Sequence, residues 1–159
     1  MKILIDADSC PVAVRSLVLR AAERTGIKAI FAANRPIKDI GDTDKEYAEM
    51  LLCPAVHGSA DDALVSLAGP GDLALTRDII LAERLLKKGA AVLDDRGRIY
   101  TTENIRELVS LRNFTVDLAE NGYDFERTAV YNKRELKIFA ASFDKLLTKL
   151  HKTAKQCIF

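Results

Sequence analysis

Short apolar runs alternate along the chain with longer segments in which apolar residues recur every three or four positions. Such runs predict buried strands, and such segments predict amphipathic helices. The predicted strands lie at residues 2–5, 27–33, 72–76 and 90–93, with a shorter one at 99–100. Because helices separate these strands, the pattern implies right-handed crossovers and a mostly parallel sheet. We therefore expect residues 1–159 to form a single α/β domain with three layers.

The predicted helices end at glycines or follow residues that cap helices well. They span residues 11–25 before Gly26, a segment that opens at Ser59, residues 79–88, a segment from Thr101 or Thr102 to about 111, and residues 133–151. The last is a long amphipathic helix with one lysine-rich side. Residues 37–50 predict a loop and then a short helix near 45–51, and residues 55–57 predict a short strand. The stretch 113–132 shows no clear pattern.

Two neighbouring aspartates lie in the first turn of the helix that opens at Ser59. The pattern Ser59-Ala60-Asp61-Asp62 resembles a capping box, in which the fourth side chain reaches back to the helix start. Asp61 shares one helical face with apolar residues three, four and seven positions later. We therefore expect Asp61 to point toward the core or a cleft, and Asp62 to have a structural role.

Composition and charge narrow the class of protein only a little. The 24 basic and 23 acidic side chains give a net charge of +1, so only a local patch could favour nucleic acid. No apolar run approaches the roughly 18 residues of a membrane span, and Asp6 and Asp8 interrupt the first one, unlike a signal peptide. The cysteines Cys10, Cys53 and Cys157 form no Cys-x-x-Cys pair, which argues against a disulfide framework or a zinc site. We expect a cytoplasmic protein with free thiols and no membrane partner.

Carboxylates follow the carboxyl ends of several predicted strands. Asp6 and Asp8 end the first strand, Asp78 follows the third, and the turn Asp94–Asp95 follows the fourth. These ends meet at one edge of a parallel sheet, where open α/β sheets build their sites. Carboxylates held together repel one another unless a cation lies between them, and Mg²⁺ and Mn²⁺ prefer such oxygen ligands. The pattern predicts a Mg²⁺ or Mn²⁺ site with Asp6, Asp8 and Asp78 as ligands and Asp61 as a further catalytic carboxylate.

Each aspartate also has a structural interpretation. Asp78 fits a helix N-cap as well as it fits a metal ligand. Asp94 and Asp95 are expected to be solvated turn residues, because turns favour aspartate. The pair Asp6 and Asp8, directly followed by Cys10-Pro11, exceeds what a turn requires, and we favour a function there.

Other polar residues near the predicted edge have weaker signals. Cys10 lies near a helix N-terminus, which lowers the pKa of a thiol, but the neighbouring carboxylates raise it. We therefore expect Cys10 to be buried and unreactive. Five arginines are solvated surface residues by default, but they could line the carboxylate edge and hold a phosphate backbone: Arg15, Arg35, Arg77, Arg96 and Arg98.

Taken together, these residues resemble the bacterial YaiI/YqxD family, a group related to PIN-like nuclease domains. The resemblance covers most of residues 3–112 and is most specific at Ile5–Val12 and at Gly71–Ile79. Weaker matches are Ala60-Asp61-Asp62, Leu81-Ala82, Lys88–Leu93, Arg96-Gly97, Tyr100-Thr101 and Glu103-Asn104-Ile105. The turn Asp94–Gly97 departs from the Asn-Pro-Arg-Gly that the family favours, and the chain beyond Arg112 lacks the expected Gly-Gly-Pro stretch.

The resemblance implies a Rossmann-like, PIN-type sheet with an acidic metal site. By analogy Asp6, Asp8, Asp78 and either Asp61 or Asp62 would belong to it. The leading hypothesis is a Mg²⁺- or Mn²⁺-dependent nuclease that acts on RNA or single-stranded nucleic acid. Two alternatives stay open. One is a haloacid-dehalogenase-type phosphatase, which Asp6-Ala7-Asp8 resembles, and the other is a non-catalytic domain that binds RNA or a protein.

Overall fold

The computed structural model describes residues 1–41, 46–123 and 130–156. Six strands within these ranges form one sheet: β1 (Ile3–Asp6), β2 (Ala29–Ala33), β3 (Ala48–Leu52), β4 (Leu73–Leu75), β5 (Ala91–Leu93) and β6 (Ile99–Tyr100). The helices described are α1 (Val12–Thr25), α2 (Lys38–Gly41), α3 (Ser59–Leu67), α4 (Ile79–Lys87), α5 (Ile105–Glu120) and α6 (Lys133–Gln156). The predicted α/β fold class is confirmed.

The strand order is β3-β2-β1-β4-β5-β6. All neighbouring strands are parallel except β6, which runs antiparallel to β5. Ile5 of β1 pairs with Phe31 of β2 on one side and with Leu75 of β4 on the other. The strand order reverses between β1 and β4, as it does in the doubly wound sheets of Rossmann-like domains.

Alternate residues of β1 enter two cores on opposite faces of the sheet, as the pleat of a strand requires. Ile5 packs in a core with α1 and with Phe143 of α6. Leu4 packs in the other core, with α3 and with Leu81 of α4. The sheet therefore lies between α1 and α6 on one face and α3, α4 and α5 on the other.

The C-terminal amphipathic helix predicted at residues 133–151 is confirmed as α6 and continues to Gln156. Phe139, Phe143 and Leu147 recur every fourth residue and are buried. The rings of Phe139 and Phe143 stack with their centroids 5.4 Å apart. This helix covers the sheet face beside α1.

Two predictions in the segment after β2 are wrong. Residues 48–52 form the edge strand β3, where a short helix near 45–51 was expected. Ala, Glu, Met and Leu are good helix formers, but pairing with β2 from Ala29 to Ala33 satisfies this backbone as a strand instead. Residues 55–57, expected to be a strand, form a bend and a turn before α3.

Other boundaries shift by smaller amounts. Helix α1 begins at Val12, with Pro11 at its N-cap, and ends before Gly26 as predicted. Helix α5 begins at Ile105 and extends to Glu120, into the stretch that showed no pattern. The loop predicted around Asp42 and Asp44 and the free thiol predicted at Cys157 lie outside the described residues. Across those described, no helix is both long enough and apolar enough to pass through a bilayer.

Candidate active site at the carboxyl edge of the sheet

The carboxyl ends of β1 and β4 lie side by side at the point where the strand order reverses. Helix α1 leaves β1 toward one face of the sheet, and α4 leaves β4 toward the other face. In open α/β sheets the resulting crevice is where ligands bind. Asp6 is the last residue of β1, and Thr76 follows β4 directly. The predicted carboxylate edge therefore coincides with this crevice.

Asp6 is held by two hydroxyl groups. Its Oδ2 accepts hydrogen bonds from Ser9 Oγ at 2.9 Å and from Thr76 Oγ1 at 3.0 Å. Burial raises the pKa of Asp6; these hydrogen bonds lower it, and the charges of Asp8 and Asp78 raise it. Asp6 is thus a partly buried carboxylate with two negative neighbours.

Asp78 both caps α4 and lies near Asp6. Its Oδ1 accepts from the backbone N–H groups of Ile80 at 2.8 Å and Leu81 at 3.1 Å, which confirms the predicted cap. The Asp78 N–H in turn donates to Thr76 Oγ1 at 3.0 Å. The buried Thr76 hydroxyl therefore joins Asp6 and Asp78 and fixes their relative positions.

Asp61 reaches the same site from the first turn of α3. Burial raises its pKa, and the charges of Asp6 and Asp78 raise it further, while Arg84 opposes this. Asp62 points elsewhere, because its Oδ1 pairs with Arg84 Nη2 at 2.6 Å. The expected difference between the two aspartates is present.

The expected reason for that difference is wrong. Gly58, in the left-handed region at φ 80°, is the N-cap of α3, and no side chain of the described residues caps this helix. Ser59 Oγ donates to the Pro54 carbonyl at 2.6 Å instead. The helical period, and not a capping box, separates Asp61 from Asp62.

Asp8 lies on the β2 side of the crevice. It is exposed, and its Oδ2 accepts from the Asn34 N–H at 2.8 Å. Its Oδ1 is 3.5 Å from Arg35 Nε. The charges of Asp8 and Asp78 therefore act on Asp6, and those of Asp6 and Asp78 act on Asp61, while Asp8 also has Arg35 beside it.

Asp95 is the residue that sequence reasoning misjudged most. The turn at Asp94–Gly97 is present, but Asp95 is only 5% exposed, so the expectation of a solvated residue is wrong. No described residue donates a hydrogen bond to either carboxylate oxygen, and Arg77 Nε lies 3.4 Å from Oδ1. Burial raises the pKa of Asp95, and the charge of Arg77 opposes this. Its position two residues after the end of β5, at the same edge of the sheet as Asp6, was the signal available in the sequence.

Asp95 and Asp6 line one small cavity under the crevice, together with Cys10, Thr76 and Arg77. The cavity has a volume of about 10 Å³, roughly the space that one water molecule needs. It therefore joins the turn after β5 to Asp6 at the end of β1 and to Thr76 after β4.

Asp94, by contrast, has a structural role in the same turn. Although it is buried, its Oδ1 accepts from the N–H groups of Arg96 at 2.9 Å and Arg98 at 2.8 Å. The turn prediction is confirmed for Asp94, and the expectation that it is solvated is wrong.

The predicted substrate arginines divide into two groups. Arg77 and Arg35 lie beside aspartates of the crevice, at Asp95 and Asp8. Arg15 Nη1 donates to the Cys10 carbonyl, and Arg96 Nη1 donates to Glu135 Oε1 at 2.5 Å. Arg15 thus ties α1 to the loop after β1, and Arg96 ties the β5–β6 turn to α6.

Cys10 is not an activated nucleophile. Its side chain is buried, and burial raises the pKa of the thiol to about 12, against the effect of Arg15. The expectation of a buried cysteine is confirmed, and a thiol with this pKa is protonated at neutral pH.

A divalent cation fits this site by chemistry more closely than by geometry. The available donors are carboxylate oxygens, which suit Mg²⁺ and Mn²⁺. Among the residues described, no three His, Cys, Asp or Glu side chains converge tightly enough to hold one ion. The site therefore suits an ion with one or two direct protein ligands that completes its shell with water, as Mg²⁺ usually does.

The sequence matches the family described as "Uncharacterized BCR, YaiI/YqxD family" over residues 4–149. The chain belongs to the YaiI/YqxD family. A UPF0178 protein of Treponema pallidum is 42% identical over 156 residues, which cover 98% of this chain and 86% of that one. A UPF0178 protein of Myxococcus xanthus is 39% identical over 153 residues, covering 96% and 98% of the two chains. None of these names states an activity, so the function has to be argued from the site.

Proposed function

We propose that this YaiI/YqxD protein is a Mg²⁺- or Mn²⁺-dependent phosphodiesterase that acts on RNA or single-stranded nucleic acid. The observation that carries the proposal is the group Asp6, Asp61 and Asp78 at the point where the strand order reverses. The charge of Asp78 raises the pKa of Asp6, and the charges of Asp6 and Asp78 raise the pKa of Asp61, each in addition to burial. Like charges gathered from three separate elements are costly, and a bound cation relieves that cost.

Asp6 and Asp78 are the residues that would hold the ion, because Thr76 already fixes them relative to each other. Asp61 and Asp8 would orient water around them. When bound, such an ion supplies positive charge to a phosphoryl oxygen and makes water a better nucleophile at neutral pH.

Arg77 would bind the phosphate of the substrate. Its guanidinium is half-exposed at the crevice, and Asp95 lies beside its Nε. An arginine held at Nε presents its terminal N–H groups together, which suits the paired oxygens of a phosphate. Asp95 would thus act as a positioning residue for Arg77.

The phosphatase alternative has less support from the geometry. A haloacid-dehalogenase-type reaction would need Asp8 as acid and base beside Asp6 as nucleophile. Asp8 instead contacts Asn34 and Arg35 at the end of β2. A phosphoenzyme trapped on Asp6 would restore this alternative.

The test is metal-dependent cleavage of a fluorescent single-stranded RNA by matched variants. We expect Asp6→Asn and Asp61→Asn each to lower the rate with Mn²⁺ by about 100-fold or more, the range seen when one preorganised electrostatic group is removed. Asp62→Asn is the matched control, because it removes a neighbouring charge that pairs with Arg84 outside the site. That control should keep the rate within about twofold, since the loss of a surface ion pair has little effect.

Circular dichroism of each variant would exclude unfolding as the cause. Manganese anomalous scattering between Asp6 and Asp78 in a crystal would support the proposal directly. Unchanged cleavage by Asp6→Asn would remove Asp6 from the mechanism. RNA binding without turnover in either metal would favour the non-catalytic alternative.

A further inference from the structure

Helix α5 leaves much of its apolar surface uncovered. Ile105 is its one fully buried residue, and its second half is exposed on most sides. Leu111 is 59% exposed and Phe114 is 60% exposed. A helix with large apolar residues in solvent is unusual in a soluble domain and marks a contact surface.

One face of α5 forms the wall of a groove of about 290 Å³. The groove is lined by Ile79, Arg98, Leu108, Leu111, Arg112 and Val116, which we call the α5 groove. Ile79 is the first residue of α4 and directly follows Asp78. The α5 groove therefore opens beside the carboxylate site.

The α5 groove is positively charged, because two arginines and no acidic residues line it. Arg98 and Arg112 are exposed, and within the described ranges neither guanidinium forms an ion pair. Arg112 Nη1 donates to the Asn113 side chain at 3.3 Å. Glu107 and Glu120 lie one helical turn from Leu111 and Val116, but neither is among the residues that line the groove, none of which is acidic. The partner that complements this surface is anionic.

The same features argue against a second copy of the chain as the partner. In a twofold-symmetric dimer the same surface patch of both subunits meets, so a groove lined by Arg98 and Arg112 and by no acidic residue would face an equally basic groove. A single-stranded nucleic acid matches both the basic and the apolar parts of this surface, because its phosphates pair with arginines and its bases pack on apolar and aromatic side chains.

We propose that the α5 groove binds single-stranded RNA and leads it to the carboxylate site, with phosphates at Arg98 and Arg112 and bases against Leu111 and Phe114. This inference rests on the proposed function and extends it from the reaction to the path of the substrate. The exposed Phe114 lies one helical turn from Leu111, next to the groove.

The test is binding of a fluorescein-labelled single-stranded RNA by anisotropy in EDTA, so that cleavage does not enter the measurement. We expect the double variant Arg98→Gln/Arg112→Gln to bind about tenfold more weakly and to show a smaller dependence of affinity on salt, because each phosphate contact contributes to that slope. Phe114→Ala should weaken binding by about fivefold or more, as the loss of a stacking platform does.

The matched control is Arg20→Gln/Arg106→Gln, which removes the same charge from exposed arginines outside the groove. The control should bind as the wild type does. Equal losses in the two double variants, or an unchanged affinity in the groove variant, would overturn the inference. A dimer in sedimentation experiments that Leu111→Ser dissociates, with unchanged RNA affinity, would instead assign the surface to a second copy.

The outcomes separate this inference from the proposed function. Groove-dependent binding by a protein that does not cleave with Mg²⁺ or Mn²⁺ would contradict the phosphodiesterase and support the groove. Cleavage that depends on Asp6 without groove-dependent binding would overturn the groove alone.

Discussion

Two buried aspartates at opposite ends of the sheet have opposite surroundings. Asp72, just before β4 at the amino end, is 4% exposed, and Asp95, just after β5 at the carboxyl end, is 5% exposed. Asp72 accepts from Lys2 N at 2.9 Å, from Lys2 Nζ at 2.8 Å and from Gly69 N at 3.0 Å. The carboxylate of Asp95 accepts no hydrogen bond from any described residue, and Arg77 Nε forms an ion pair with it at 3.4 Å.

This difference separates a structural charge from a functional one. A buried carboxylate with three donors joins the chain start to the loop before β4, and it stabilises the fold. A buried carboxylate without donors destabilises the fold, and proteins keep such groups mainly at functional sites. The buried charge at the amino end of the sheet is therefore satisfied and stabilising, and the one at the carboxyl end lies beside the site that we propose for binding and chemistry.

The largest expected effect on stability is at Asp72. Asp72→Ala would leave the Lys2 ammonium and two backbone N–H groups without their acceptor. We expect the free energy of unfolding to fall by about 3 kcal/mol, as when one partner of a buried ion pair is removed. Urea denaturation at pH 7 measures this change. Asp72→Asn, which keeps one acceptor oxygen, should lose less, and equal losses would contradict the structural role.

The opposite sign is expected at Asp95. Asp95→Asn removes a buried charge that accepts no hydrogen bond from the described residues and has a half-exposed arginine as its ion-pair partner. It should raise the free energy of unfolding at pH 7 by about 1.5 kcal/mol, as stabilising changes at functional sites do. Urea denaturation of the same protein preparation measures it. A clear loss of stability would mean that Asp95 has partners that the cavity does not show, and the comparison with Asp72 would fail.

The gain in stability expected from Asp95→Asn should depend on pH. Burial raises the pKa of this carboxyl above its ordinary value of 3.8, so the folded chain binds the proton more tightly than the unfolded chain. The wild type therefore loses stability as pH rises from about 3.8 through the folded-state pKa. The advantage of Asp95→Asn should be larger at pH 7 than at pH 4, and a constant difference would assign the effect to packing.

Asp78 combines both roles, and two variants separate them. Asp78→Ala removes the cap of α4 and should lower the free energy of unfolding by about 1 kcal/mol. Asp78→Ser retains a capping oxygen, so its stability should stay within about 0.5 kcal/mol of the wild type. Both variants should lose Mn²⁺-dependent cleavage. Normal cleavage by Asp78→Ser would limit Asp78 to capping.

Local signals in the sequence were sufficient for much of the site. An apolar run followed by Asp6 predicted a strand end, and Asp78 before an apolar helical pattern predicted the cap that Ile80 and Leu81 use. The helical period of α3 was enough to separate Asp61 from Asp62. Each of these features depends on residues within one or two turns of the position concerned.

Features that depend on distant residues were not predictable in this way. The helix formers in residues 48–52 become a strand because β2 supplies hydrogen-bond partners from 19 positions earlier, as in the pairing of Ala29 with Ala48. The extension of α5 to Glu120 had no clear pattern because its second half is exposed on most sides and lacks one buried stripe.

The sequence by itself determined most of the strands and helices, though not β3, and the carboxylates at the strand ends, because periodicity and capping act between near neighbours. Only the tertiary structure decided which carboxylates meet and which are buried. Asp95 is enclosed because Arg77 approaches it from the end of β4 and the Tyr131 hydroxyl donates to its carbonyl at 2.8 Å from just before α6. The burial of Asp95 therefore depends on residues 18 and 36 positions away in the chain, and no local sequence pattern predicts that they pack against it.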